Sequence, residues 1–121
     1  MFFINSRDKT PIYEQLCRQA REQIALGVLK PGEPLPSVRS LSTELGINPN
    51  TIQRAYRMME DEGLTVSIPG KGNFVTEDTD ALQQDHRAKQ CETVRRELAA
   101  LKKLGGTKSD VLQLVDEVYG G

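Results

Sequence analysis

The 121-residue sequence has a single histidine, two cysteines and no long apolar run, and each scarcity excludes something. His86 has no cysteine or second histidine at ligand spacing, so no metal is expected. Cys17 and Cys91 lie far apart, each inside a helical pattern, and read as two small buried hydrophobes rather than a disulfide. No Ser-His-Asp or Cys-His set can be assembled, and there is no phosphate-cradling GxxxxGK(S/T) motif. An enzyme is therefore not expected, nor a cofactor. No stretch approaches the roughly 18 apolar residues that span a bilayer. The start, MFFINSRDK, lacks the basic region and apolar core of a secretory signal. The expectation is a cytoplasmic protein without a membrane partner.

A basic surplus is also missing. Net charge is −1 and the isoelectric point about 5.9, whereas nucleic-acid binders are usually basic. The distribution matters more than the sum. Between Asn48 and Gly63, Arg54 and Arg57 come first, and Glu60, Asp61 and Glu62 follow. A helix entering DNA by its N-terminal end would carry those acids away from the phosphates. Hydrophobic content of 37% and charged content of 27% suit one compact domain with an extension.

The apolar period predicts the elements. Phe2, Phe3 and Ile4 suggest a short edge strand. Thr10-Pro11 reads as an N-cap and first helical residue, and Ile12, Tyr13, Leu16, Cys17, Ala20 and Ile24 recur at helical spacing up to Gly27. The segment 30–34 (KPGEP) is a turn-rich connector. Ser37 caps a second helix with Val38, Leu41 and Leu45 inward, ended by Gly46. A third helix opens at Asn48-Pro49 and carries Ile52, Ala55, Tyr56 and Met59 as a buried stripe. After Gly63 the period changes: Leu64, Val66 and Ile68 alternate, Pro69-Gly70-Lys71-Gly72 turns, and residues 73–76 return. Three helices and such a hairpin make a winged helix-turn-helix.

Residues 80–104 are strongly helix-forming. Cys91, Val94, Leu98 and Leu101 step by three and four as a narrow seam. Gly105-Gly106 breaks this helix, and Thr107 or Ser109 can cap a last one carrying Val111, Leu114, Val115 and Val118 on one side. These eight residues are expected to join two copies of the chain. The fold class is thus mainly α with a small β-hairpin wing, divided into a DNA-binding domain over residues 1–78 and a helical dimerisation tail over 79–121.

The third helix's outward face carries chemistry that suits DNA. Asn50 and Gln53 can pair bidentately with adenine, Arg54 with guanine, and Thr51 can touch the thymine methyl. Arg39 lies near a helix start and suits a phosphate. Lys71 sits between Gly70 and Gly72, which let the backbone approach closely. Arg57 reaches DNA or pairs with Asp61 one turn on. With Pro36, Ser37 and Asn48 flanking these elements, the set is the expected contact surface.

These stretches resemble a known family. PIYEQL, LPSVRSLSTELGINPNTIQRAYRMMEDEGL and GKGNFV resemble the GntR family of bacterial transcription regulators, and NPNTIQRAY with the short tail resembles its YtrA-type branch. The resemblance implies a winged helix-turn-helix repressor, homodimeric, binding a double-stranded inverted-repeat operator. It places DNA contacts on Arg39, then Asn50, Thr51 and Gln53, then Gly70. Better-studied branches often carry basic residues where this chain has Pro49 and Gln53, so a different operator is expected. The larger relatives carry an effector domain for which this chain has no room. The sequence shows no site for a small-molecule effector; the cleft between head and tail is where one would be expected. The alternative is a winged-helix protein-interaction adaptor without specific DNA binding.

Overall fold

A computed structural model describes residues 2–120. The elements run α1 (Ile12–Ala25), α2 (Val38–Leu45), α3 (Pro49–Asp61), β1 (Thr65–Ile68), β2 (Gly72–Val75), α4 (Asp80–Lys103) and α5 (Lys108–Tyr119). They form two compact units, one extending to Gln84 and the other from Asp85 onward.

In the first unit, α1 and α3 contribute facing apolar stripes. Leu16, Cys17, Ala20 and Ile24 meet Ile52, Ala55, Tyr56 and Met59, with Leu41 of α2 and Leu29, Leu35, Leu64 and Val75 closing the core. Burying each large aliphatic side chain here is worth about 1.5–3 kcal/mol. The first turn of α4 belongs to this unit too, with Thr79 buried and Leu82 packed on the core.

The N-terminal segment is not the expected edge strand. Two glutamines four residues apart on α1 act in place of a neighbouring strand. The Gln19 side chain accepts from the Phe3 N–H at 3.1 Å and donates to its carbonyl at 2.8 Å. Gln15 does the same for Asn5, at 3.0 and 3.2 Å. A further correction concerns the helix start: Pro11, not Thr10, occupies the N-cap, without a side-chain cap bond. Thr10 is held elsewhere, its carbonyl by Gln15 and its N–H by Asp8.

The wing is an antiparallel hairpin in which Thr65 pairs with Val75 and Ile68 with Gly72. Gly70 (φ +76°) and Gly72 (φ +117°) occupy backbone regions closed to most L-residues, which explains the two glycines around Lys71. The expected alternation on β1 does not keep one face inward. Leu64 and Thr65 are buried, but Val66 and Ile68 are exposed, because the strand leaves the core after Thr65 and projects as a wing. The connector before α2 is more than a turn. Pro34 bridges Phe74, Leu35 N–H donates to Asn73 at 2.9 Å, and Val75 N–H donates to Glu33 at 2.8 Å. It therefore braces β2 along its free edge.

In the second unit, α5 carries a complete capping box. Thr107 accepts from the Asp110 N–H at 3.1 Å while Asp110 accepts from the Thr107 N–H at 2.8 Å. That bonding holds the Asp110 carboxyl below its ordinary pKa. Among the described residues, no helix is long and apolar enough to cross a membrane.

Candidate nucleic-acid interface

The bend between α2 and α3 is built from three local devices. Ser37 Oγ accepts from the Ser40 N–H at 3.0 Å and starts α2. Gly46 ends it in the left-handed region at φ +67°, its N–H donating to the Ser42 carbonyl at 2.9 Å. Ser42 Oγ then donates to the Ile47 carbonyl at 2.5 Å, closing the turn. Asn48 caps α3 by accepting from the Asn50 N–H at 2.8 Å, and Pro49 takes the position where a missing N–H costs nothing. Tyr56, on the buried face of α3, donates from its hydroxyl to the Pro36 carbonyl at 2.6 Å. The sequence places Pro36, Ser37 and Asn48 at the DNA surface. In the structure their polar atoms hold the helix starts in place.

Beyond that bend, the first turns of α3 present their polar face outward. Asn50, Gln53, Arg54 and Arg57 are exposed and Thr51 is half-buried, and no acid occupies the first turn. The helix N-terminus adds its partial positive charge to this end. Arg39 on α2 and Lys71 at the wing tip are also exposed.

The ion pairs leave this surface open. Among the described residues, the salt bridges join Arg18 to Asp8, Arg21 to Glu62, Lys89 to Asp85 and Arg95 to Glu92. None engages Arg39, Arg54, Arg57 or Lys71, so the alternative pairing of Arg57 with Asp61 is not formed. Glu62 is drawn off the far end of α3 by Arg21 at 2.6 Å, and it also accepts from the Cys17 thiol at 3.4 Å. Burial, with the Glu62 charge adding, pushes that thiol up to about 12. Cys17 is thus the buried small hydrophobe its pattern predicts.

The structure adds one residue that the sequence pattern assigns to the core. Tyr13 on α1 is only half-buried, and the Arg54 guanidinium lies over its ring, 3.8 Å from the centroid. Forty-one positions separate the two, so helical spacing gives no hint of the contact.

The tail seam lies largely open. Leu101 and Val111 are half-buried, while Cys91, Val94, Leu98, Leu114, Val115 and Val118 are exposed, the last at 81%. Cys91 is therefore not the buried hydrophobe expected. Tyr119 of α5 and Cys91, Val94 and Leu98 of α4 line a shared open cavity of about 450 Å³. The last helix thus runs back along α4 without sealing the apolar face between them.

A capped helix pair whose second helix has an acid-free N-terminal turn, with a glycine-bounded hairpin beside it, defines the winged helix-turn-helix class of DNA-binding transcription regulators. Residues 12–75 match the family model of bacterial regulatory proteins, gntR family. The chain belongs to the GntR family. The HTH-type transcriptional repressor YtrA of Bacillus subtilis is 44% identical over 77 residues, 64% of this chain and 59% of that repressor. The alignment therefore spans about three-fifths of the relative's length. The crystal structure of a transcriptional regulator from Oenococcus oeni is similar over 98% of this chain and 97% of that one, with a TM-score of 0.74 and 30% identity. The AraR DNA-binding domain, solved in complex with operator ORE1, is similar over 60% of this chain and 89% of that one, with a TM-score of 0.53 and 27% identity.

Proposed function

We propose that this chain is a sequence-specific, homodimeric transcription repressor that binds an inverted-repeat operator. The observation that carries the reading is the start of α3: the side chains of Asn50, Thr51 and Gln53 make no hydrogen bond among the described residues, on an acid-free helix end flanked by cations without a salt-bridge partner. Amide and hydroxyl groups in that position match base edges, and Arg39, Arg57 and Lys71 match the phosphates on either side. The operator complex of the AraR domain supports the reading for a related head.

The head is the expected 1–78 together with the first turn of α4 that packs on it, and the rest of the expected tail, 79–121, joins the two copies. Two considerations favour two copies. The acidic balance leaves one head a modest electrostatic grip. The apolar residues Val94, Leu98, Leu114 and Val115 are left open to solvent, which a second copy would cover. Two heads so joined would read half-sites about 34 Å apart, one helical turn of DNA.

Selection of duplexes from a random pool by the full chain tests the proposal, followed by gel shifts at rising salt. The expected result is an inverted repeat whose affinity falls steeply with salt. Failure to enrich any sequence, with no shift at low salt, would leave the adaptor reading in its place.

A further inference from the structure

Arg54 follows Asn50 by one turn of α3, but its guanidinium is drawn sideways over Tyr13 of α1. A helix in the major groove has base edges beneath it and a phosphate rail along each wall. A side chain held laterally against a neighbouring helix is placed at a wall, not over the floor. Contact over the ring occupies one face of the guanidinium and leaves its N–H donors, which lie in the plane, free to reach outward. Arg54 has no carboxylate partner among the described residues.

The surroundings agree. Between α1 and α3 opens a groove of about 460 Å³ lined by Tyr13, Arg54, Arg57, Met58, Asp61 and Glu62. Its end toward the start of α3 carries the two arginines, one helical step apart. Its other end carries Asp61 and Glu62, the latter neutralised by Arg21 at 2.6 Å. On the α1 side, the acid nearest Tyr13 is Glu14, which accepts from the tyrosine hydroxyl at 3.3 Å. The two arginines favour an anion at their end of this groove, bounded by Asp61 and Glu62 along α3 and by the Glu14 carboxylate on the outer edge of Tyr13.

From this we infer that Arg54 grips a phosphate of the operator backbone and reads no base, and that Tyr13 is the positioning residue that holds it there. The inference rests on the DNA-binding reading above, and it replaces the guanine contact that residue type alone suggests for Arg54. It also makes α1, otherwise a core helix, part of the DNA-facing surface.

The test uses the full chain and the duplex selected by the wild-type protein. Arg54→Gln is expected to select the same sequence, with the slope of log affinity against log salt shallower by about 0.9 per head, the value of one lost phosphate contact. Tyr13→Leu is expected to keep the selected sequence and lose roughly two- to fivefold in affinity, the scale of one exposed cation–π contact. Tyr13→Phe keeps the ring and is expected to bind as the wild type does. Loss of base preference at one position per half-site in Arg54→Gln would overturn the inference, and so would a Tyr13→Leu protein of wild-type affinity. A Tyr13→Phe protein as weak as Tyr13→Leu would transfer the role to the hydroxyl and overturn it as well. If the wild type itself selects no duplex, the functional reading falls and takes this inference with it.

Discussion

The Tyr56 hydroxyl donates to the Pro36 carbonyl at 2.6 Å, tying the middle of α3 to the residue just before the α2 cap. One hydrogen bond thus fixes α3 against the start of α2. Burial, with the charge of Glu44 adding, raises the phenol above its usual range, so it remains a donor at any working pH. Tyr56→Phe keeps the ring and leaves the carbonyl unpaired. It is expected to destabilise the head by about 1–3 kcal/mol in urea unfolding. A midpoint equal to wild type would mean that packing alone sets the angle between the helices.

Thr65 presents the opposite case. It is 3% exposed, and its hydroxyl has no hydrogen-bond partner among the described residues. Thr65→Val replaces that hydroxyl with a methyl of similar shape and retains the branched side chain that suits a strand. A gain of roughly 1 kcal/mol is expected. A clear loss by thermal or urea melting would show that the hydroxyl has a partner in solution.

How far the sequence reveals this protein depends on which signals are local. Ile52, Ala55, Tyr56 and Met59 repeat with the helix period, and all four are buried. Ser37, Gly46 and Asn48 announce helix ends by their own chemistry, and each does so in the structure. What stays hidden is contact between distant segments. Gln15 and Gln19 lie outside the apolar stripe of α1, and helical spacing says nothing of them; they bond the N-terminal backbone because their amides can mimic a strand edge. The brace of residues 33–35 on β2 and the Arg54–Tyr13 contact are non-local in the same way. Cys91 misleads for a different reason: helical spacing marks an apolar seam but does not say whether anything covers it.

Acid stability should show one localised contribution. The Asp8 carboxylate accepts from the Thr10 backbone and side chain and from Arg18, which together lower its pKa from 3.8 to about 2. A depressed folded-state value means that this contribution is complete above the unfolded pKa and disappears as pH falls toward 2. Asp8→Asn is therefore expected to flatten the dependence of unfolding free energy on pH between about 4 and 2. At neutral pH the variant should lose whatever the charged group contributes. An unchanged acid profile would place the pH-sensitive groups elsewhere.

Gln53 is exposed on the acid-free end of α3 and has no side-chain partner among the described residues. Its amide can pair with an adenine edge, so Gln53→Ala is expected to relax preference at one position per half-site and cost roughly 1–3 kcal/mol there. Because a neutral residue is exchanged for another, the salt slope should stay as it is. This separates Gln53 from Arg54, whose loss should change the slope and spare the preference. Selection by the variant of the wild-type sequence at every position would remove Gln53 from the reading set.

Leu98 offers the corresponding test of the tail. It is 41% exposed on α4 and lines both the cavity shared with Tyr119 and the one beneath Thr107 and Val111. A charge there costs little in a lone chain, since water still reaches the position. Buried against a second copy, the same charge would lack a partner and carry a penalty of several kcal/mol. Leu98→Asp should therefore leave the folded head intact by circular dichroism, shift the protein toward monomer in sedimentation velocity, and weaken operator binding. Affinity and dimer content should fall together, because each head alone retains only the weak phosphate grip of an acidic chain. If the variant remains a stable dimer, Leu98 lies outside the interface, and the apolar face on α5, from Val111 to Val118, becomes the surface that joins the copies.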